Sequence, residues 1–533
     1  MNLLAVVALF GLIGILFYEL FVRLNVISDI QKVFNVAPAA IKVIRSTTLS
    51  DEEKEVSVRR MSLQVLKDTF TFTAKLAGVL LTCVAVAAMA QSLFTLSPGG
   101  LSDLLASWQG LIAAVVSVAL YTRFKPVGEP ASSHSSTSQY SSLDRLLHRI
   151  AFIHPGLQKI LGDVENDLFK KHLTDVEVRR PVFVTGLPRA GTTLLLELLY
   201  DTDQFASFTY RQMPFVLNPL LWNRLSSGSR KQGEGQERAH GDGMLISYDS
   251  PEAFEEVLWV SYQGKSMFDD GGMRTLMPTD LDANMPDAFV NLARKLVCLK
   301  ELNVQGAHPS TPSASDSDTQ HLNSSSRYLS KNNANLSRLD AIRSVFSDAD
   351  LLLCYRHPTT HVASLHTQHL RFLEIHKNDA FARNYMRWIG HHDFGANFRP
   401  IHFSEKNSLD PTQRLFWLQY WVDAYRHVLE HAPEGTQFIG YESLLQNGSA
   451  DLGQLAKNLE LNEVATTTLM AAAKRLRAPG SLAEPLSDLS TNLALEAEAI
   501  YSQLSARSVA QGYTGYQKSD SPRLQETGFV HNT

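Results

Sequence analysis

Eight consecutive residues, Gly186, Leu187, Pro188, Arg189, Ala190, Gly191, Thr192 and Thr193, carry the most specific chemistry of this 533-residue chain. They follow the apolar run Val182 to Thr185 and lead into the apolar stretch Thr192 to Tyr200, so the order predicts strand, glycine loop, helix. At such a turn backbone N–H groups converge on an anion, and the positive end of the helix dipole adds to the attraction. The glycines have the spacing of a nucleotide phosphate loop. Thr192, however, stands where that loop keeps its lysine, and a cation sits inside the loop instead, at Arg189. Without that lysine, hydrolysis of a nucleoside triphosphate loses a principal electrostatic support.

A second group of the same kind begins at Arg356, directly after the strand-like run Leu351 to Tyr355. Pro358 ends the strand and can seat the start of a helix, which places Ser364 about one turn in. An arginine fork matches a phosphate dianion, and a hydroxyl fills a remaining acceptor direction. Four histidines, His357, His361, His366 and His369, fall in the same stretch. No carboxylate or cysteine completes a ligand set with them, so no metal is expected.

The pattern from Gly186 to Thr193 resembles the 5′-phosphosulfate loop of sulfotransferases that use 3′-phosphoadenosine 5′-phosphosulfate (PAPS), in the branch that carries Arg rather than Lys. Arg356 with Ser364 resembles that family's 3′-phosphate motif. Gly440, Tyr441, Glu442, Ser443, Leu444 and Leu445 resemble its late Y-E-x-L-L segment. The resemblance runs from about Pro181 to Leu461 and implies roles. Leu187, Pro188, Arg189, Ala190, Gly191, Thr192, Thr193 and Leu194 would cradle the 5′-phosphosulfate. Arg189 would stabilise charge on the departing phosphate. Arg356 and Ser364 would hold the 3′-phosphate, and Tyr441 would lie near the adenine. Lys331, after the run Tyr328 to Ser330, would be a second cation near the sulfate.

Sulfuryl transfer also needs a base for the acceptor proton. Some relatives keep a glutamate one helix and a turn beyond the phosphate loop, but Phe205 to Pro214 holds no acid. His240, between small residues, is the first candidate, with a suitable ordinary pKa. Glu255 is the second. It is read, with Glu252, on the first turns of a helix opened by Ser250 and Pro251.

These side chains require strands that end side by side. Val182 to Thr185, Tyr328 to Ser330, Leu351 to Tyr355 and Gln437 to Tyr441 read as strands. Thr192 to Tyr200, Ser337 to Phe346 and the segment from about Thr360 read as helices. Strands alternating with helices predict an α/β domain with a mainly parallel sheet, whose ligands bind at the carboxyl ends of strands. The resemblance implies a P-loop-like three-layer sandwich. Trp417, Tyr420, Trp421 and Tyr425 recur at helical spacing and read as core.

The remainder is organised around a membrane module. Hydrophobic residues make up 44% and charged residues 19% of the chain, which suits a globular protein with a membrane portion. The net charge of -5 gives no global field for nucleic acid, and none is expected as a partner. Three cysteines, Cys83, Cys298 and Cys354, make no disulfide framework. Met1 to Val22, Leu76 to Leu96 and Leu104 to Tyr121 approach the ~20 apolar residues of a membrane span. The fold class is thus α/β preceded by two or three N-terminal transmembrane helices. Basic residues crowd the segment between the first two, from Arg23 to Lys75, and Arg123 and Lys125 follow the third. That asymmetry predicts a multi-pass protein whose catalytic domain is cytoplasmic, where PAPS is made. Sequons at Asn323, Asn335 and Asn447 mark the lumenal alternative.

The expected organisation is a membrane module over 1–127, a Ser-rich linker over 128–142, a sulfotransferase domain over 143–507 with a low-complexity insertion at 305–326, and a polar tail over 508–533. The expected reaction is transfer of a sulfuryl group from PAPS to a hydroxyl on a glycan, lipid or other small molecule near a membrane. The alternatives are a P-loop-type kinase and a non-catalytic membrane adaptor retaining the fold.

Overall fold

The computed structural model describes residues 3–24, 26, 29, 51–93, 147–149, 151–152, 155–226, 236–237, 245–246, 249–269, 271–304, 326–404, 408–476 and 485–508. The expected linker, the third apolar segment, His240 and nearly all of the insertion and tail lie outside these residues. The chain divides into two units, Met1–Leu157 and Gln158–Thr533.

In the first unit, α1 (Leu3–Arg23) and α2 (Asp51–Leu93) are helices. Lys75 Nζ donates to the Leu24 carbonyl at 3.0 Å and pairs with Asp29. Among the described residues one stretch, Arg59–Val86, is long and apolar enough to cross a membrane by length and composition. It overlaps the expected segment Leu76 to Leu96 but begins earlier, because the apolar run is the second half of a longer helix. The described helices thus provide one candidate span, and the third expected segment, Leu104 to Tyr121, lies outside them.

The second unit is built on β1 (Val182–Thr185), every residue of which is buried. It leads through the glycine loop into α3 (Thr192–Tyr200) and the short edge strand β2 (Phe205–Ala206). There follow α4 (Glu256–Tyr262), α5 (Met285–Val304), β3 (Arg327–Lys331), α6 (Leu339–Val345), β4 (Asp350–Tyr355), α7 (Pro358–Asn378), α8 (Arg414–His431), β5 (Gln437–Gly440) and α9 (Tyr441–Asn458). The sheet order is β2-β3-β1-β4-β5, with every pairing parallel. Val184 stands opposite Lys331 on one side and Leu352 on the other.

Side chains alternate between faces along a strand, and β1 uses both. Val182 and Val184 join Leu195 and Leu199 of α3 and Leu452 and Leu455 of α9 in one apolar core. Phe183 points the other way, its ring 5.8 Å from Phe289 of α5 and 5.6 Å from Phe346 at the end of α6. Helices therefore cover both faces, which is why these strands are near-continuous apolar runs. Trp417, Trp421 and Tyr425 of α8 are buried, as their helical spacing implied.

Several boundaries differ from the sequence reading. The helix expected over Ser337 to Phe346 is a 3-10 turn, Asn333–Ser337, followed by α6. Tyr441 begins α9 instead of ending β5. The helix expected at Pro251 begins only at Glu256, because Pro251 is held extended in a bridge to Thr209.

The order has one functional consequence. The chain leaves β1 toward β2 and β3 on one side, then crosses to β4 on the other. The carboxyl ends of β1 and β4 thus flank the point where the winding reverses, the place where open α/β sheets bind ligands.

Candidate phosphate and sulfuryl site

Between β1 and α3 the backbone takes a left-handed course at three positions: Gly186 (φ 145°), Arg189 (φ 71°) and Gly191 (φ 93°). At Gly186 a Cβ would collide with the Cys354 carbonyl of β4, and at Gly191 one would lie 2.9 Å from the Tyr441 ring. Arg189 has a Cβ and adopts this conformation all the same, a strain of the kind found at ligand sites. Gly191 caps α3 without a side-chain bond, and no acid lies in the first turn. The opening N–H groups of α3 are left for an anion.

A buried imidazole holds the loop from behind. His361, in the first turn of α7, lies 2.8 Å through Nε2 from the Pro188 carbonyl, while Trp421 Nε1 donates to its Nδ1 at 3.2 Å. Those two bonds define a neutral ring protonated on Nε2. Burial pushes its pKa down to about 3, although the Pro188 contact acts in the opposite sense. Leu187, Pro188 and Ala190 are buried, whereas Arg189, Thr193 and Leu194 are partly exposed. Thr192 is buried, and its hydroxyl donates to Asn333 Oδ1 at 3.1 Å.

Arg356 leaves the end of β4 beside this loop. Its Nη1 donates to the Arg189 carbonyl at 3.4 Å and its Nε to Thr360 Oγ1 at 3.0 Å. Its guanidinium carbon lies 5.2 Å from the centre of the Tyr441 ring. Arg189 Nε donates to Ser364 Oγ at 3.2 Å. Pro358 is the first residue of α7, with the His357 side chain capping it. Burial lowers the proton affinity of Arg356, and the Arg189 charge acts in the same direction. Two guanidinium groups held this close, one of them desolvated, favour an anion between them. The fold thus gathers Arg189, Arg356, Ser364 and Tyr441 at one end of the sheet.

On the other side of β1, Lys331 ends β3 opposite Val184 and is buried. It lines a cleft whose wall includes Leu187 and Pro188 of the loop. Next to it Asn333 ties three segments together. Its carbonyl accepts from Thr185 Oγ1 at 3.4 Å, its Oδ1 from Thr192, and its Nδ2 donates to Asp393 Oδ2 at 2.9 Å.

The expected bases fare differently. His240 lies outside the described residues. Glu255 is 0% exposed, and its carboxylate accepts from Trp259 Nε1 at 2.9 Å, Asn335 Nδ2 at 3.0 Å and Tyr328 Oη at 3.4 Å. It is absent from the described cleft wall. Three donors and full burial fit Glu255 as a support for the turn after β3. Glu252 accepts from Tyr210 Oη at 2.7 Å and from the Ala253 N–H at 2.8 Å. Neighbouring Glu256 pairs with Arg338, the two side chains 1% and 0% exposed, and accepts from Asn332 Nδ2 at 2.7 Å. Asn335, in one of the sequons, is buried in this network.

Sequence reasoning missed Asn333 and the run Gly390, His391, His392 and Asp393, which lines the same cleft as Leu187 and Pro188. Gly390 (φ 74°) packs on Glu256, where a Cβ would come within 2.5 Å of its Cγ. His391 bonds the Ala253 carbonyl at 2.8 Å and His392 Nδ1 the Asn397 carbonyl at 3.0 Å. Burial lowers the His392 pKa. A glycine followed by two histidines and an aspartate was the available signal. Among the described residues no group of three His, Cys, Asp or Glu side chains is placed to hold a metal ion.

Residues 181–405 match the family model described as "Sulfotransferase family". No curated protein matches the chain. Among solved structures, it is similar to the sulfotransferase STF1 from Mycobacterium tuberculosis H37Rv, at 14% identity and a TM-score of 0.37, covering 78% of this chain and 97% of that one. It is also similar to the sulfotransferase STF9 from Mycobacterium avium, at 15% identity and a TM-score of 0.38, covering 69% of this chain and 87% of that one.

Proposed function

We propose that this chain is a sulfotransferase that moves the sulfuryl group of PAPS to an acceptor hydroxyl by in-line displacement, a reading supported by the match of residues 181–405 to the sulfotransferase family model. Arg356 and Ser364 take the 3′-phosphate. The backbone from Leu187 to Leu194 takes the 5′-phosphosulfate at the start of α3, with Thr193 adding its hydroxyl. Tyr441 flanks the adenosine. Arg189 neutralises charge as it develops on the leaving phosphate, and Lys331 does the same at the sulfate, where preorganised cations lower the barrier most.

The observation that carries this reading is the placement of Arg189. Its side chain bonds Ser364 and its carbonyl accepts from Arg356, so both phosphate-binding groups lie within one ligand's reach.

The acceptor is a hydroxyl on a glycan, a lipid or another small molecule, bound in the cleft beside Lys331. The helix stretch Arg59–Val86 anchors the enzyme to a membrane, with the catalytic unit on the cytoplasmic side. Nucleic acid is not a partner.

Calorimetric titration with 3′,5′-ADP, the desulfated product, tests the assignment. Wild type binds without magnesium, and Arg189→Ala and Arg356→Ala each weaken binding about 10- to 100-fold, the loss of one charge-assisted contact. Wild type that ignores 3′,5′-ADP but binds ATP with magnesium would instead be a kinase-like protein, and the reading would fall.

A further inference from the structure

We propose that Asp393 is the base that takes the proton of the acceptor hydroxyl. The inference rests on the sulfuryl-transfer reading and assigns the step which that reading leaves without a residue.

Three observations place Asp393 there. It is the one carboxylate among the described residues lining the cleft that also contains Lys331 and the loop residues Leu187 and Pro188. Its Oδ2 is fixed by Asn333 Nδ2 at 2.9 Å, while Oδ1 carries no hydrogen bond among the described residues. The amide that orients it is the one that accepts from Thr192 Oγ1 at 3.1 Å. A single side chain therefore sets the distance from the carboxylate to the first turn of the anion-binding helix.

His391 and His392 each use one ring nitrogen on a backbone carbonyl, which holds the loop that presents Asp393. Glu255 and Glu256 are saturated by buried donors behind that loop.

In the step itself the acceptor O–H proton passes to Asp393 Oδ1 as the acceptor oxygen forms its bond to sulfur. The bond from sulfur to the bridging oxygen breaks, and its electron pair stays on the 5′-phosphate of 3′,5′-ADP, facing Arg189. The proton on Asp393 is then lost to water. Asn333 is a positioning residue, since it acts through the carboxylate.

The test compares full-length wild type with Asp393→Asn, which keeps the acceptor for Asn333 but removes basicity. Labelled PAPS is offered with water, benzyl alcohol or 4-nitrophenol as acceptor, and 3′,5′-ADP affinity is measured alongside. 4-Nitrophenol is far more acidic than the other two acceptors, is substantially ionised near neutral pH and has little need of a base. The expected result is a loss of at least about 100-fold toward water and benzyl alcohol, the usual worth of general base catalysis. The loss toward 4-nitrophenol is several-fold at most, and 3′,5′-ADP binding is unchanged. Equal losses toward all acceptors, or no loss, would overturn the proposal. If Asp393→Asn fails to fold, Asp393→Ala with added formate decides: restored turnover on benzyl alcohol supports the base, and formate without effect counts against it. Wild type that does not bind 3′,5′-ADP would instead remove the donor assignment itself, so the two failures are distinguishable.

Discussion

At the scale of single residues, the site separates groups that meet a ligand from groups that hold those groups still. His361 belongs to the second kind. It is a buried neutral ring whose two nitrogens are both engaged, one by the Pro188 carbonyl and one by the Trp421 indole. His361→Phe would keep the volume and orphan both partners, at about 1–3 kcal/mol for each buried group left unpaired. We expect a stability loss of that order in denaturant titrations, with weaker 3′,5′-ADP binding because the loop is released. Arg189→Ala should behave in the opposite way, losing affinity while its denaturation midpoint stays near wild type. A His361 variant with wild-type stability would show that the loop holds itself.

At the scale of elements, the turn after β3 is supported by a buried acidic layer. Glu256 meets Arg338 and Asn332, and Glu255 meets Trp259 and Asn335. The Arg338 guanidinium also lies 4.0 Å from the Trp259 ring centre. Removing one partner of a buried ion pair leaves an uncompensated charge. Glu256→Ala is therefore expected to cost about 3–5 kcal/mol in equilibrium unfolding. Replacing both partners with apolar residues, Glu256→Leu with Arg338→Met, should recover much of that loss. Turnover of the double variant should remain impaired, because Asn332 would lose its anchor beside Lys331 and Asn333. Full activity in it would mean that the turn is positioned by its own backbone.

At the scale of the whole molecule, buried histidines make the catalytic unit sensitive to acid. Burial pushes His361 down to about 3, and His369 and His427 down to about 4, from an ordinary value of 6.5. The unfolded chain takes up these protons near pH 6.5 and the folded chain only well below it. Their contribution to stability is thus whole above about pH 6.5 and is lost as pH falls toward 4 and 3. Scanning calorimetry of the full chain should show Tm falling steadily below about pH 6.5, and falling less steeply in the His361→Phe variant. A flat Tm between about pH 7 and pH 5 would contradict the assignment of these rings as neutral.

The half of the site proposed to take phosphate was legible in the amino-acid order because its elements are local. A strand, a glycine loop and a helix start are consecutive, so Gly186 to Thr193 specify their own geometry, and Arg356 with Ser364 lies at a second strand-to-helix junction, after the neighbouring strand β4. The parallel α/β architecture followed from apolar runs alternating with helical segments. Other assignments depended on partners distant in the chain. Glu255 reads as an exposed helix-start acid until Tyr328 and Asn335 are packed against it. Asp393 sits in a short Gly-His-His-Asp run, but nothing in that run says what the carboxylate does until Asn333, 60 residues earlier, bonds it. What the sequence determined by itself was two strand-to-helix turns rich in hydrogen-bond donors and the elements that carry them, since donors on one turn travel together. Only the tertiary structure decided which carboxylates are spent inside the core and which reaches the cleft, because a carboxylate's role is set by the donors and solvent around it.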